Sequence, residues 1–200
     1  MRYYIDNATL FIRGSFRAVS TGISGGIRNV TILFNHTVPA DWNHAEPKKE
    51  IERIAAAAGI GQDVLGLLTA VPIPTLCVLH YDFITVFVTA GIRQEPAEKK
   101  TAGTINIIVI SSEGMEDAAL LETIMVATEA KTEALLAAGR VSGTPTDAVI
   151  AACEDNIKHR YGGRITEPGR RVREAVLKGV PEALRRFENE APTKELDFFF

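Results

Sequence analysis

Polar side chains capable of chemistry interrupt two otherwise apolar segments of the chain. Thr104 and Asn106 stand two residues apart at the start of the run 103–110, which is almost continuously apolar. Such a run is typical of a strand buried on both faces, and residues two apart share a face, so both polar groups need partners inside the protein. Thr89 ends the apolar segment 83–89 in a similar way. These residues predict a polar site within the core of a sheet.

Lys131 lies in the segment 116–138, which predicts a helix that stops at Gly139. At about 100° per residue, one stripe of this helix consists of Leu121, Ile124, Thr128, Lys131 and Leu135. The stripe predicts that Lys131 points inward. Two interpretations stay open: an anchor for a carboxylate or amide, or a lysine whose stem packs at the edge of the core while its ammonium reaches water. Glu129 lies on the flank of the stripe, where a solvated residue is the more ordinary outcome.

Asp147 follows a polar turn in the run 142–152 and precedes an apolar segment. The mouth of a strand is a position where α/β sheets commonly place ligand-contacting groups. Aspartates at such positions also satisfy the amides of turns. The sequence leaves both roles of Asp147 open.

Familiar catalytic and metal-binding signatures are present only in part. Residues 22–26 fit the Gly-x-Ser-x-Gly spacing of a nucleophile elbow, but the next residues predict a strand where an elbow needs a helix. We therefore expect a glycine turn between two strands, and it lacks the Lys-Ser or Lys-Thr of a phosphate loop. His36 and His44 have no carboxylate at metalloprotease spacing, and Cys77 and Cys153 have no nearby Cys or His. We therefore expect no metal site.

Composition excludes several classes of protein. The 200 residues are 46% hydrophobic and 24% charged, which suits a soluble chain with a sizeable core. The net charge of −3 is spread without a basic block, which argues against nucleic acid as a partner. No charged and apolar leader begins the chain, and its longest apolar stretch, 65–79, is short for a bilayer and carries two prolines. We expect a cytoplasmic protein without a membrane partner. The composition is also compatible with a homo-oligomer.

Residue patterns predict six strands and three helices. The strands are residues 9–13, 16–20, 29–35, 83–89, 103–110 and 146–153, and the helices are residues 47–58, 116–138 and 168–187. Gly179 and Pro181 are expected to kink or divide the third helix. Because no linker separates the halves, we expect residues 1–200 to form one α/β domain, a sheet-rich sandwich with helices packed on the outer faces.

Seven short blocks together resemble the adenosylcobinamide amidohydrolase family. In chain order they are residues 20–21 with 25–26, Asn35 with Val38, 69–70, 88–91, 103–107, 128–132 and 143–147. The blocks Gly-Thr-Ile-Asn, Thr-Glu-Ala-Lys-Thr and Gly-Thr-Pro-Thr-Asp are specific in combination. The resemblance extends from about Arg17 to Leu184. Two departures are Ser142, where the family is expected to have threonine, and the turn 161–166.

The resemblance implies a role in corrinoid salvage. Family members hydrolyse the amide that joins aminopropanol to a propionate side chain of the adenosylated corrin ring, and they release adenosylcobyric acid. The corrinoid is then the substrate, and no further cofactor is implied. The residues expected to bind the substrate are Gly25, Gly26, Asn35, Thr89, Asn106, Thr144 and Thr146.

Amide hydrolysis needs a nucleophile or activated water, donors for the oxyanion and a proton for the leaving amine. Asp147 or Glu129 is the candidate base and Lys131 the candidate anion stabiliser. The residues expected to donate to the oxyanion or to substrate amides are Asn35, Thr104 and Asn106. The hydroxyls that compete with direct attack by water are Ser20, Thr104 and Thr144. No histidine-based triad is evident, so the nucleophile stays open. A sandwich of this kind is somewhat similar to aminopeptidases that process themselves at an internal nucleophile, an analogy of fold alone.

Two other functions fit the same polar residues. A non-catalytic corrinoid-binding or regulatory protein would also lack a triad, and an amidase for another ring-borne or peptide amide would use the same chemistry. Formation of adenosylcobyric acid from adenosylcobinamide distinguishes the enzyme from the binding protein.

The C-terminal tail, residues 188–200, ends in three phenylalanines. Because a buried phenylalanine contributes roughly 1.5–3 kcal/mol, we expect this end to dock on its own subunit or on a partner subunit. Its Leu-x-x-Phe-Phe-like spacing is also similar to sliding-clamp peptides, although Thr193 replaces their customary glutamine.

Overall fold

The computed structural model describes residues 1–39, 41–42, 45–61, 63–94, 101–154, 156–189 and 195–197. The strands are β1 (Arg2–Asp6), β2 (Thr9–Ser20), β3 (Gly26–Thr37), β4 (Val64–Thr69), β5 (Cys77–Tyr81), β6 (Ile84–Gln94), β7 (Thr101–Ser111), β8 (Gly114–Met115), β9 (Ala148–Cys153), β10 (Ile157–His159) and β11 (Glu195–Asp197). The helices are α1 (Pro47–Ala57), α2 (Asp117–Ala137) and α3 (Glu167–Asn189), with a 3₁₀ turn at Ile73–Thr75.

Nine of these strands form one mixed sheet. Its order is β11-β5-β6-β7-β9-β2-β3-β4, with β1 paired to β2 as well. The pairs β3–β4, β7–β9 and β5–β11 are parallel, and the others in this sheet are antiparallel. Strands β8 and β10 form a separate two-stranded sheet. Since β9 lies between β7 and β2, it joins the two halves of the large sheet.

The two halves of the sheet face each other across an apolar interior. One buried cluster takes side chains from β2, β3 and β4 on one side and from β5, β6, β7 and β9 on the other. Helices α2 and α3 cover the outer face of the second half, and α1 covers the outer face of the first half. The predicted α/β fold, a sheet-rich sandwich with helices on its outer faces, is therefore confirmed.

The three predicted helices are present, and the third is not divided at Gly179 and Pro181, which was one of the two outcomes expected there. Helix α3 continues through Gly179 and Pro181. A Cβ on Gly179 would lie 2.7 Å from Cδ1 of Leu79 and 3.1 Å from Cγ2 of Val88. This glycine permits close approach of α3 to the sheet, and the packing holds the helix together despite the proline.

The stripe assigned to α2 is only partly right. Lys131 and Leu135 are buried as predicted, whereas Leu121 is 48% exposed and Thr128 is exposed. The helix packs both on α3 and on β9, so its buried surface is wider than one stripe and centred elsewhere. The residues that α2 buries are Ala119, Leu120, Thr123, Val126, Ala127, Ala130, Lys131, Ala134 and Leu135.

Several strand predictions needed revision. The predicted strands 9–13 and 16–20 form a single strand, β2, with a shift of register between Arg13 and Phe16. The apolar stretch 65–79 contains most of β4 and the start of β5, separated by the 3₁₀ turn, although no strand was predicted there. Most residues of β4 and the first residues of β5 are buried on both faces, so these segments show no alternation of apolar and polar residues.

The C-terminal segment forms the edge of the large sheet. Glu195–Asp197 pairs in parallel with β5, with Leu196 opposite Leu79. The three final phenylalanines, on which the docking prediction rested, lie outside the described residues. No described helix is both long enough and apolar enough to span a membrane.

Candidate active site

A cavity of about 350 Å³ opens where the two halves of the sandwich meet at one end of β4, β7 and β9. The end of β4 supplies one wall, and the first residues of β7 and the turn that enters β9 supply another. The described residues that line it are Thr21, Gly22, Ile23, Val38, Trp42, Pro47, Leu67, Leu68, Thr69, Ala70, Thr104, Pro145, Thr146, Asp147 and Ala148. Asp147 is the ionisable side chain in this set.

Two threonine hydroxyls meet on the wall. Thr146 Oγ1 donates to the carbonyl oxygen of Gly103 at 3.0 Å, and it lies 2.8 Å from Oγ1 of Thr104. A hydroxyl has one proton, so Thr104 donates to Thr146 in this arrangement. Thr104 Oγ1 acts as the donor in this contact, and Thr104 is one of the residues that line the cavity. The structure thus brings together two predicted residues and the peptide bond between Gly103 and Thr104.

Beside them, Asp147 binds four donors. Its Oδ1 accepts from Ile105 N at 2.9 Å and from Thr144 Oγ1 at 2.6 Å. Its Oδ2 accepts from Thr144 N at 3.0 Å and from Lys131 Nζ. An ionised carboxylate offers about four acceptor positions, so those of Asp147 are occupied. The turn-satisfying role left open by the sequence is present, and Asp147 also joins the turn to α2 and β7.

Lys131 reaches this carboxylate from α2, with only 9% of its side chain exposed against 11% for Asp147. The pair lies under Gly143, where a Cβ would be 2.7 Å from both Lys131 Nζ and Asp147 Oδ2. A glycine at 143 therefore lets the turn close over the ion pair. We call Thr104, Lys131, Thr144, Thr146 and Asp147 the rim cluster.

A second set of predicted residues lies deeper. Asn35 Nδ2 donates to Thr89 Oγ1 at 2.9 Å, and Asn106 Nδ2 donates both to Asn35 Oδ1 at 2.9 Å and to Leu68 O at 3.0 Å. All three side chains are at most 2% exposed. We call Asn35, Thr89 and Asn106 the interior network.

The interior network corrects one expectation from the sequence. Both N–H groups of the Asn106 amide are used inside the protein, so they do not donate to an oxyanion or to a substrate in this arrangement. Asn106 Oδ1 has no hydrogen-bond partner among the described residues. The network ties β3, β4, β6 and β7 together across the sandwich, which is a structural role.

Glu129 lies away from the rim cluster. Its side chain is 52% exposed, and its Oε2 is 3.8 Å from Nη1 of Arg164. The helical periodicity of the sequence predicts that Glu129 lies on the flank of the buried stripe. In the structure, this position of α2 faces solvent. The structure therefore does not bring this candidate base to the cavity.

Gly25 and Gly26 shape the turn between β2 and β3 beside the cavity. A Cβ on Gly25 would lie 2.2 Å from Ser20 O, and Gly26 has φ +97°, which favours glycine. The predicted glycine turn is confirmed, since β3 follows where a nucleophile elbow requires a helix. Gly22 of the same turn lines the cavity. Ser20, a candidate nucleophile, accepts from Gly22 N at 3.0 Å and is 5% exposed.

Histidines and metal ligands do not contribute to this site in the described part of the chain. His36 contacts Thr9 Oγ1 at 2.6 Å, and burial lowers the pKa of its imidazole. His159 contacts Glu113 at 2.6 Å, away from the cavity residues. His44 lies outside the described residues. Among those described, no three His, Cys, Asp or Glu side chains are grouped so that they could hold a metal ion.

The two departures from the family pattern have structural roles. The carbonyl oxygen of Ser142 accepts from Thr132 Oγ1 at 3.3 Å, a bond that does not involve the Ser142 hydroxyl. In the turn 161–166, Gly162 N and Gly163 N donate to Glu122 Oε2 at 2.6 and 3.0 Å. This turn connects α2 to the start of α3 and is absent from the described cavity lining.

Sequence reasoning missed part of the cavity wall. Thr21, Thr69 and Pro145 belong to blocks noted in the sequence but were not assigned a site role, and Trp42 lies outside every block. Trp42 lies in an irregular segment between β3 and α1, where no periodicity marks an inward side chain. As the single tryptophan of the chain, it was the one compositional hint available.

Comparison with known proteins gives consistent results over nearly the whole chain. The family model described as "Adenosylcobinamide amidohydrolase" matches residues 6–192. A Methanosarcina mazei protein with that description is 43% identical over 195 residues, covering 92% of this chain and 98% of that protein. A Halobacterium salinarum protein with the same description is 29% identical over 192 residues, covering 88% and 83%. A protein of Methanocaldococcus jannaschii described as uncharacterized is 26% identical over 220 residues, covering 90% and 86%. The matched span of the family includes every cavity residue named above.

Proposed function

The chain belongs to the adenosylcobinamide amidohydrolase family, and we propose that it hydrolyses the amide joining aminopropanol to a propionate side chain of adenosylcobinamide. The products are adenosylcobyric acid and free aminopropanol, which makes this a step of corrinoid salvage. One observation carries the proposal: the residues matched by the family model include all the described residues that line the cavity. Threonine hydroxyls and a carboxylate are among them. We place the reaction in the cytoplasm, with the small-molecule corrinoid as the partner.

The size of the cavity suggests how such a substrate would bind. Its volume of about 350 Å³ is at the low end for pockets that enclose drug-sized ligands. A corrin macrocycle with its side chains is larger than such ligands. The cavity therefore suits the amide-bearing arm, while the ring lies against the rim near the half-buried Trp42.

The reaction needs an attacking oxygen close to the amide carbon. Thr104 Oγ1 is a candidate because Thr104 lines the cavity and its hydroxyl is bonded to the neutral hydroxyl of Thr146. Attack by Thr104 gives a tetrahedral intermediate and then an ester with the propionate, and water hydrolyses that ester. Direct attack by water gives the same products. In both cases the proton lost by the attacking oxygen is delivered to the nitrogen of aminopropanol as it leaves.

Asp147 and Lys131 support this wall as positioning residues. Asp147 holds the start of β7 through Ile105 N and the turn through Thr144 N, and Lys131 neutralises its charge. For Asp147 to act as a base, a donor such as the Thr144 hydroxyl has to rotate away first. The predicted base role of Asp147 and anion-stabilising role of Lys131 stay predictions.

One observation favours a second candidate, a non-catalytic corrinoid-binding or regulatory protein. The ionisable side chain on the described cavity wall has its acceptor positions filled, so the wall offers no free general base. A protein that only binds the corrinoid would need none.

The test is a direct assay of the full-length protein with adenosylcobinamide. Chromatography of the corrinoids and mass spectrometry of aminopropanol should show adenosylcobyric acid and aminopropanol in equal amounts, at a rate proportional to protein concentration. The rate should persist in the presence of a chelator. Binding of adenosylcobinamide without turnover would support the second candidate, and turnover of other amides in preference to adenosylcobinamide would indicate a different amidase.

A further inference from the structure

We propose that the chain cleaves its own peptide bond between Gly103 and Thr104, and that the resulting N-terminal threonine is the nucleophile of the hydrolase. The cleavage is argued from the geometry around this bond. The second part, use of the new N-terminus on a substrate amide, rests on the proposed function.

The first step of the argument is the missing base. Thr104 Oγ1 has a hydroxyl, Thr146 Oγ1, as its hydrogen-bond partner, and an alcohol hydroxyl is too weak a base to accept a proton from Thr104 at neutral pH. An N-terminal threonine supplies its own base, because a free α-amine has a pKa of roughly 8 and lies beside its own hydroxyl. Cleavage before Thr104 would create this amine on the cavity wall.

The second step is the environment of the bond itself. The carbonyl oxygen of Gly103 accepts from Thr146 Oγ1 at 3.0 Å, and Thr146 Oγ1 is 2.8 Å from Thr104 Oγ1. Thr146 thus contacts both the oxygen that would become negative and the hydroxyl that would attack. A donor already aimed at a carbonyl oxygen is the arrangement that stabilises a tetrahedral intermediate.

The third step is the backbone of Gly103. Its φ of +153° lies in a region that residues with a side chain rarely adopt, and a Cβ there would be 2.1 Å from Gly91 O. Glycine is therefore required in front of Thr104. The glycine thus lets β7 lie close to Gly91 of β6 directly before Thr104.

The chemistry balances without any further reactant except water. Thr104 Oγ1 attacks the Gly103 carbonyl carbon, the C–N bond breaks, and the proton lost by Thr104 Oγ1 is taken up by the Thr104 nitrogen. The product is an ester isomer of the chain, with a free α-amine on Thr104. Water then hydrolyses the ester to give a carboxyl group on Gly103 and a free Thr104 hydroxyl. The two chains, 1–103 and 104–200, together exceed the parent mass by one water.

The fold can hold the new end in place after cleavage. Asn106 of β7 remains opposite Ala148 of β9 and Thr89 of β6, and Ile105 N remains on Asp147 Oδ1. The role of the rim cluster in this proposal is to hold the first residues that follow the cleaved bond. On a substrate amide, Thr104 Oγ1 would form an ester with the propionate and release aminopropanol, and water would free the corrinoid acid.

The deciding experiment is the intact mass of the purified full-length protein under denaturing conditions. We expect two chains that correspond to residues 1–103 and 104–200, with an N-terminal sequence of Thr-Ile-Asn-Ile. Thr104→Ser should still cleave, Thr104→Ala should remain one chain, and Thr146→Val should slow cleavage by roughly tenfold or more. Thr128→Ala, which removes an exposed hydroxyl on α2, is the matched control and should cleave like the parent.

The outcomes separate the two proposals. A single chain of full mass overturns self-cleavage even if adenosylcobinamide is hydrolysed, and the proposed function then stands alone. Cleavage at Gly103–Thr104 without hydrolysis of adenosylcobinamide supports the processing and overturns the substrate assignment. Cleavage at another bond, or cleavage that persists in Thr104→Ala, identifies a contaminating protease and overturns the inference. Because the parent's new N-terminus is read directly, the result does not depend on the folding of any variant.

Discussion

The rim cluster and the interior network each include one residue of strand β7. They differ in whether their polar atoms lie at the cavity or are bonded inside the protein. Thr104 belongs to the first and Asn106, two residues on, to the second. In the interior network both N–H groups of Asn106 are bound to protein oxygens. In the rim cluster Thr104, Thr146 and Asp147 line a cavity. A buried polar residue in a strand therefore does not by itself identify a ligand site. A ligand site needs polar atoms that line a cavity and are not already used in hydrogen bonds within the protein.

The largest effect on this contrast is expected from Lys131→Met. Methionine keeps most of the apolar stem, so the fold should persist, but Asp147 loses its counter-charge and the turn over β7 loosens. We expect hydrolysis of adenosylcobinamide to fall roughly a hundredfold or more. Steady-state kinetics measures this, with Lys48→Met on the exposed face of α1 as control. Unchanged turnover would mean that Lys131 only packs at the edge of the core.

The interior network should respond in stability instead. Asn35→Leu leaves Thr89 without its donor and Asn106 without one acceptor, and unsatisfied buried groups cost about 1–3 kcal/mol each. For a chain of this size the melting temperature should fall by several degrees, roughly 2–4 °C per kcal/mol. The KM of the folded fraction should stay close to that of the parent. A large rise in KM with an unchanged melting temperature would place Asn35 in the substrate site.

A third polar site, on α3, sharpens the comparison because its ion pairs lie away from the cavity and lower the pKa of a carboxylate. The guanidinium of Arg185, together with that of the buried Arg186, lowers the pKa of Glu182 from 4.5 to about 2. A lowered pKa means that the ion pairs stabilise the fold fully above pH 4.5 and that this contribution disappears as the pH falls through 2.

Glu182→Gln should therefore be less stable than the parent at neutral pH, and the difference should shrink on acidification below pH 4.5. Urea unfolding at several pH values measures it. A stability difference that is independent of pH would show that the carboxylate charge of Glu182 contributes nothing.

The smallest effect is expected at Glu129. Since its side chain is half exposed and contacts Arg164 only at 3.8 Å, Glu129→Gln should change turnover by less than about twofold. The same assay as for Lys131→Met applies. A loss comparable to that of Lys131→Met would return Glu129 to the list of candidate bases and contradict the separation of this face of α2 from the cavity.

Local patterns were enough for much of the fold. Pro47 and Gly139 marked a helix start and a helix end, and the apolar run 103–110 marked the central strand β7, because both signals depend on residues close in sequence. The division of α3 that was one expectation at Gly179 and Pro181 is absent for a related reason. Local propensity predicts a break there, while the packing of α3 against Leu79 and Val88, distant in sequence, keeps the helix continuous.

The sequence by itself determined the α/β class, the family blocks and the chemical types of the site: hydroxyls, amides, one lysine and one aspartate. Only the tertiary structure decided which of them act together. Asp147 meets Lys131 across 16 residues and Ile105 across 42, and Thr146 meets Gly103 across 43. Such contacts depend on how the two halves of the sheet fold onto each other, which the periodicity of any one segment does not specify. These long-range contacts also decide which atom donates and which accepts in each hydrogen bond. The resulting bonds distinguish Thr104, at the cavity, from Asn106, beneath it.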